Sequence, residues 1–503
     1  MLESRAGDFP VLGYRPRLAS RGLLVAVALV TVTIGFLILR AHGLVASGGF
    51  VLLVFYLGIL VRWQRGVYGL LGYLPFAGVV TLALYPWEGP AVFNPVLCKD
   101  WLFVVPAYLG FLAAMVLRRE RTLSFGGLPS VLLLAFSVLV LAQMANPGVP
   151  NLLSGLIGAK VWLLYLPLYV LTTALVASRR DLVFLLRFLV MLTAIPCAVG
   201  IVEYVLAQFL GYRELMESVY GDVAMLATQG FVYFEVGGGL LLRIPSTFSF
   251  VTQFFAYTLA MLVPCYALWR MDPSPRWRRL GKWMLGVAAV ASFLSGARAA
   301  FLFVPMVLAL TYALDRGFSG VVRAGPYVAG VVLGALAISR IAALDLFQHV
   351  SELFGGYARD TAYGGLAQAL ASAPLGMGTG TNTGAARYAF SDPSKFVVLE
   401  NYYAKAAYEL GIPGLLIIWG LFGVLIWRGF QVCRRLRDPG LHACSAALLA
   451  FLITMALNSF KGWLVDLDPI NVYFWVFSGV LAKLPYLDSR PGELSRTPTE
   501  ESQ

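Results

Sequence analysis

Two stretches carry the residue types most able to do chemistry, "ASAPLGMGTGTNTGAARYAF" at 371–390 and "ENYYAKAAYELGIPGLLIIWG" at 400–420. In the first, Gly376, Gly378 and Gly380 alternate with threonines and are followed by Arg387. The spacing fails the dinucleotide fingerprint, because Thr381 and Thr383 stand where its third glycine would be, and no strand precedes it. Two readings stay open: a flexible tip between surface helices, or bare N–H groups and hydroxyls closing on an anionic or sugar ligand. In the second stretch, residues 400–410 lack helix breakers, Gly411 suits a left-handed C-terminal cap and Pro413 can start the next helix. Glu400 is then a carboxylate at one end of a rod about 16 Å long, at 1.5 Å per residue, or else a solvated loop glutamate.

Further charges stand out against their surroundings. Arg298 in "LSGARAAF" falls in a hairpin between two apolar runs, where an ionisable residue is a functional candidate or an interfacial anchor. Lys160 lies just inside an apolar run, as a phosphate contact or an anchor. Arg243, Arg359, Arg387 and Lys395 occupy long connections and could meet acidic ligands or simply be solvated. Tyr402, Tyr403 and Tyr388 could stack on a sugar, although tyrosines are common at membrane interfaces. Asp466 and Asp468 spell a D-x-D in "KGWLVDLDPINV", in a short turn with no nucleotide-binding domain around it.

These residues must be positioned by a membrane protein. Of 503 residues 59% are hydrophobic and only 13% charged, and the mean hydropathy is +0.78. Apolar runs near the roughly 20 residues that span a bilayer centre near 30, 53, 76, 109, 136, 166, 195, 259, 290, 307, 331, 420, 450 and 477. The expectation is an all-α polytopic protein of about fourteen transmembrane helices, or twelve to fourteen where short runs merge. Lys and Arg collect in every second connection: Arg5 to Arg21, Arg62/Arg65, Arg118 to Arg121, Arg179/Arg180, Arg270 to Lys282, Arg316/Arg323 and Arg428 to Arg437. By the positive-inside rule those connections and both termini face the cytoplasm. The net charge of +12 is a topology signal, which argues against nucleic acid as partner.

The first apolar run follows about twenty polar residues with no small-residue cleavage site, and is expected to stay as an anchor. The five cysteines are spread out, so no disulfide is expected. His42, His349 and His442 lie far apart, so no zinc is expected. Alternation places two long connections outside the cytoplasm, about 208–247 and about 340–411, carrying short surface helices. Residues 1–485 read as one polytopic domain and 486–503 as a disordered cytoplasmic tail.

The second stretch also resembles a family signature. Asn401, nine residues, Gly411, two residues and Gly414 is similar to the motif of the O-antigen ligase and polymerase family of bacterial membrane glycosyltransferases. Ligases carry His where this chain has Glu400, a departure that favours the polymerase branch. Segments 155–171, 241–262, 292–310 and 373–384 resemble family segments in the same order, covering most of the chain from about 150 onward.

The resemblance implies transfer of a glycan from an undecaprenyl diphosphate carrier to an acceptor sugar hydroxyl, outside an inner (cytoplasmic) membrane. Arg243 and Arg298 match family arginines that stabilise the diphosphate, which a guanidinium fork suits. Lys160, Arg359, Gly376, Gly378, Gly380, Arg387, Asn401 and Tyr403 become candidate substrate-binding residues. Glu400 is the candidate general base for the acceptor hydroxyl. No cofactor is expected and the reaction is expected to be metal-independent, since metal-using membrane transferases carry their acidic motif in a large first external loop. A chain-length regulator or a flippase would be a protein partner. Ligase-type transfer to a lipid or other acceptor is the nearest alternative. A flippase for the same lipid-linked oligosaccharide is the alternative of another class, although transporters bind near the midplane, often with internal repeats, and none is visible.

Overall fold

The computed structural model describes residues 51–86, 95–118, 128–222, 233–236, 239–317, 322, 330, 363–390, 396–397 and 399–489. They form two compact units. The first holds Val51–Val61 (α1), the start of Gln64–Ala83 (α2) and Leu97–Val116 (α3). Edge-to-face rings join it internally, Phe55 with Phe103 at 5.8 Å and Trp63 with Phe111 at 5.1 Å.

The second unit contains Leu128–Met144 (α4), Leu152–Leu175 (α5), Arg179–Leu210 (α6), Tyr212–Tyr220 (α7), Val251–Met271 (α8) and Pro275–Leu294 (α9). It continues with Ala300–Arg316 (α10), Gly365–Ser372 (α11), Tyr402–Arg435 (α12), Pro439–Asn458 (α13) and Ile470–Asp488 (α14). Eight described helices are long and apolar enough to cross a membrane. They coincide with the expected spans near 76, 109, 166, 195, 259, 420, 450 and 477. Within the described residues the runs near 53, 136 and 307 give helices of under 18 residues, and that near 290 carries Arg276, Arg278, Arg279 and Lys282 in its first half. Those near 30 and 331 lie outside the described residues. The protein is therefore a helical membrane protein. One exception to the all-α expectation is a hairpin in the first long connection, Tyr233–Val236 (β1) antiparallel to Gly239–Leu242 (β2), with Tyr233 opposite Leu242.

Helix α8 is the axis of the second unit. It is apolar around its whole circumference, which marks a helix buried on all sides, and its Phe254–Leu268 run is buried throughout. Helices α6, α9, α10, α13 and α14 pack against it. Its polar atoms are satisfied locally: Thr258 Oγ1 donates to Phe254 O and accepts from Ser292 Oγ of α9 at 2.8 Å.

At one end of this bundle, Arg179 and Arg270, read from sequence as topology signals, and Arg187 of α6 meet aspartates. Arg187 grips Asp272 through two bonds of 2.7 and 2.8 Å, Arg179 meets Asp438 at 2.8 Å, and Arg270 meets Asp315 at 3.4 Å. Asp438 also caps α13 by accepting from Leu441 N, and these donors hold its carboxyl below the usual range against the effect of burial. Asp488 accepts from the N–H groups of Arg437 and Asp438, so α14 is helical to a residue past the expected start of the tail.

Candidate active site

The opposite end of the bundle gathers Arg243, Arg298, Glu400 and Lys461 from four connections. Arg243 precedes α8 and is fixed by the segment after it. Ile244, Ser246, Thr247 and Phe248 are buried. Ser246, at φ 54°, donates its N–H to Glu203 of α6 at 2.8 Å and its hydroxyl to Pro196 O at 2.6 Å. Thr247 accepts from Val79 N of α2 at 3.1 Å.

Arg298 lies in the α9–α10 turn. Ser295 Oγ donates to Ser292 O and accepts from Ala297 N, and Gly296 takes φ 65°. That turn rests on Arg243: a Cβ at Gly296 would lie 2.7 Å from Leu242 O and 3.0 Å from Arg243 Cα. Burial and the neighbouring Arg298 both push the Arg243 guanidinium below its ordinary value, and its Nε is buried with no hydrogen-bond partner among the described residues.

Glu400 and Lys461 form a second neighbouring pair. Glu400 is exposed, immediately before the cap of α12. Tyr402 N donates to Ser459 O at 3.1 Å, and a Cβ at Gly462 would stand 3.9 Å from Glu400 O, so the α13–α14 connection runs alongside. Lys461 N donates to Asn458 O at 2.8 Å. Lys461 is half-buried and its ammonium is pushed down to about 8, by burial first and then by Arg298 and Arg243, with Glu400 opposing. Arg298 thus bears on Arg243, and both bear on Lys461 against Glu400, and a multiply charged anion is the ligand such a gathering of cations fits.

The resemblance motif has internal roles here. Asn401 is buried, and its side-chain oxygen accepts from Tyr403 N at 2.9 Å and Ala404 N at 3.1 Å, capping α12. Gly411 breaks the helix at φ 74°, as its spacing before Pro413 predicts. The break seats residues 374–376: Ile412 N donates to Pro374 O at 2.9 Å, and a Cβ on Gly411 would lie 2.5 Å from Leu375 C. Tyr403 is also internal. Its hydroxyl donates to Ala456 O at 2.8 Å and its ring meets Phe460 at 4.6 Å, which corrects the expectation of a sugar-stacking surface.

The glycine segment differs most from expectation. Thr379, Thr381, Asn382 and Thr383 are buried, so it is not a surface tip. Its N–H groups are used inside the protein: Met377 N donates to Tyr408 O, Gly378 N to Glu409 O and Thr379 N to Gln143 O. Gly376, Gly378 and Gly380 all have φ near +90°, open to glycine at little cost. Thr379 Oγ1 donates to Gly155 O at 2.9 Å, and Gly158 of α5 abuts Gly380. Glu409, fully buried, accepts from Asn382 N at 2.7 Å, Thr383 Oγ1 at 2.9 Å and Trp162 Nε1 at 2.7 Å. The segment is a wedge locking α4, α5 and α12 together; the Gly378 donor expected to cradle a ligand serves that lock, and the Gly376 donor turns back to Ala373 O.

Beside it, Lys405 is fully buried, paired with Asp466 and set 4.7 Å over the Trp162 ring. Asp466 of the D-x-D is thus a partner of lysine. It also edges a cavity lined by Trp162, Tyr402, Phe422, Asn471 and Phe474. Of the remaining candidates, Lys160 is half-buried on α5, Arg387 is exposed on the turn Gly384–Ala389, and Arg359 and Lys395 lie outside the described residues.

Sequence reasoning missed Lys461, Lys405 and Glu409. Lys461 had one signal, a lone cation in a short connection on the same side as Arg298. No protein-family model matches this chain, and neither does any curated protein.

Proposed function

We propose that this protein is a membrane glycosyltransferase that polymerises an O-antigen or exopolysaccharide. It would join lipid-linked repeat units at the extracytoplasmic face of a bacterial inner membrane. The observation that carries the reading is that Arg243, Arg298 and Glu400, far apart in sequence, lie in connections at one end of the bundle and each bears on Lys461 there.

Arg243 and Arg298 hold the diphosphate of the donor, where two guanidinium groups disperse the charge that grows as the sugar leaves. Glu400 takes the proton from the acceptor hydroxyl as that oxygen attacks the anomeric carbon. Exposure suits this role, because the acceptor is itself a glycan arriving from water. The wedge of residues 374–383 and the buried Lys405–Asp466 pair keep α12 and the α13–α14 connection in register beneath the site. The donor's lipid tail enters laterally between helices.

The test is purified protein in nanodiscs with a native undecaprenyl diphosphate oligosaccharide, comparing wild type with Glu400→Gln and Arg298→Ala. A ladder of longer lipid-linked glycans, lost in both variants, supports the reading. Intact substrate with leaflet exchange in liposomes refutes it in favour of a flippase.

A further inference from the structure

Independently of that reading, we propose that the first half of α9 is a docking site for the headgroup of an anionic phospholipid. Arg276, Arg279 and Lys282 hold its phosphate, and Trp283 marks the level of its glycerol.

Along its length α9 changes character once. Arg276, Arg278, Arg279 and Lys282 fall in its first eight residues, and residues 284–294 carry no charge. Exposure divides the helix lengthwise. Gly281, Met284, Ala288, Ala291 and Ser292 are buried. Arg276, Arg279, Lys282, Trp283, Gly286 and Val290 are exposed among the described residues, and at 3.6 residues per turn they share one face about 120° wide. Trp283, 75% exposed, stands where the charged part of that face meets the apolar part, the place tryptophan takes at a headgroup layer. Just past it a Cβ at Gly286 would meet nothing within 4 Å, so the face is open there to a lipid chain.

The cations have no carboxylate to meet. The sequence holds no Asp or Glu between Asp272 and Asp315. Asp272 is buried and gripped by Arg187, and Asp315 is taken by Tyr266 and Arg270. Among the described residues no ion pair reaches Arg276, Arg278, Arg279 or Lys282, and Lys282 lies instead 5.7 Å over the Trp269 ring.

Depth selects the partner. α9 runs back along α8, a helix long enough to cross a membrane, and a Cβ at Gly281 would lie 2.8 Å from Trp269 N. The uncharged part of α9 is about 16 Å long at 1.5 Å per residue, short of a hydrocarbon core of about 30 Å. That mismatch draws Arg279 and Lys282 into the headgroup layer, where a lipid phosphate is the counter-charge at hand. A choline headgroup brings its own cation to that phosphate. A phospholipid of net negative charge leaves it to the protein.

The probes are phosphatidylglycerol and phosphatidylcholine of identical acyl chains, added to the purified full chain in detergent and counted by native mass spectrometry. One basic residue near an anionic lipid surface strengthens attachment by roughly fivefold. Wild type should therefore prefer phosphatidylglycerol by about tenfold or more, and Arg279→Gln should cut that preference by roughly fivefold. Arg276→Gln/Arg279→Gln/Lys282→Gln should abolish it. Arg434→Gln/Arg435→Gln/Arg437→Gln removes equal charge from the end of α12 and should leave it unchanged. All six side chains are exposed, so the variants keep the fold. Equal retention of the two lipids by wild type, a preference that survives the α9 triple variant, or equal loss in both triple variants would overturn the site. Displacement of the lipid by glycerol phosphate would overturn the lipid as ligand in favour of a free anion.

Discussion

Replacing Lys405 with methionine removes one half of an ion pair that is 0% exposed on the lysine side and 8% on the aspartate side. Methionine fills similar space, so the loss is electrostatic: Asp466 is stranded, and the cation over the Trp162 ring is gone. Breaking a buried pair costs about 3–5 kcal/mol, and the ring contact adds about 1–2 kcal/mol. The first figure has a ceiling, because a stranded carboxylate can escape by taking up a proton. Protonating an ordinary carboxyl costs about 4 kcal/mol at pH 7 and about 1.5 kcal/mol at pH 5. Lys405→Met should therefore lower stability by about 4–6 kcal/mol at pH 7, and recover about 1.5–2.5 kcal/mol of that at pH 5. The double variant Lys405→Met/Asp466→Leu, with no charge left to strand, should come within about 2 kcal/mol of wild type. Four of the five cysteines are buried and free, so a thiol-reactive dye reports unfolding on heating. A midpoint drop of roughly 5–10 °C for the single variant at pH 7 follows from the size of the chain. If the double variant is no more stable than the single one, or the single variant melts like wild type, the pair does not hold α12 to the α13–α14 connection.

Three further outcomes follow from the same geometry. Gly158→Ala places a methyl 2.5 Å from Thr379 C and 2.6 Å from Gly380 Cα, and should destabilise by about 1–3 kcal/mol or block folding, measured by the same dye assay. Glu409→Gln keeps the shape but turns an amide donor toward groups that themselves donate, Trp162 Nε1 or Asn382 N and Thr383 Oγ1. It should cost about 1–3 kcal/mol, and equal melting of variant and wild type would refute the lock. Lys461, with its acidity raised to a value of about 8, gives a pH dependence of defined sign. Between about pH 8 and about pH 10 the unfolded chain holds more protons there than the folded one, so stability rises with pH. A melting series in Lys461→Met should lack that rise.

The break at Gly411 was legible because its causes are local: a glycine open to positive φ, a proline two residues on, and no breaker for ten residues before. Eight spans were legible for a similar reason, since a run of apolar residues needs no partner to be recognised. The hairpin carrying Arg298 was legible as a charge between two such runs. The glycine segment was not, because a buried wedge and a solvated tip have the same composition. What separates them is where the N–H groups go, and they go to Gln143, Tyr408 and Glu409 on two different helices. Lys405 and Glu409 were missed, and their spacing would not have found their partners. Their i,i+4 spacing suggests an intrahelical pair, yet the fold sends Lys405 to Asp466 and Glu409 to Trp162, Asn382 and Thr383. One-dimensional spacing records proximity along a helix and says nothing of a closer competitor across the bundle.

The two ends of the second unit differ in how charge is treated, and the difference bears on where function lies. At one end Arg179, Arg187 and Arg270 each meet an aspartate, an arrangement that stabilises the fold on its own. At the other, Arg298 bears on Arg243, and both bear on Lys461, where the exposed Glu400 opposes them. Like charges held together against their repulsion persist where the rest of the fold over-determines them, and they are relieved when an opposite charge arrives. The buried segment after Arg243 and the serine-bonded turn before Arg298 supply that rigidity. An anion bound there would relieve that repulsion, and the diphosphate of the proposed donor is an anion of that kind.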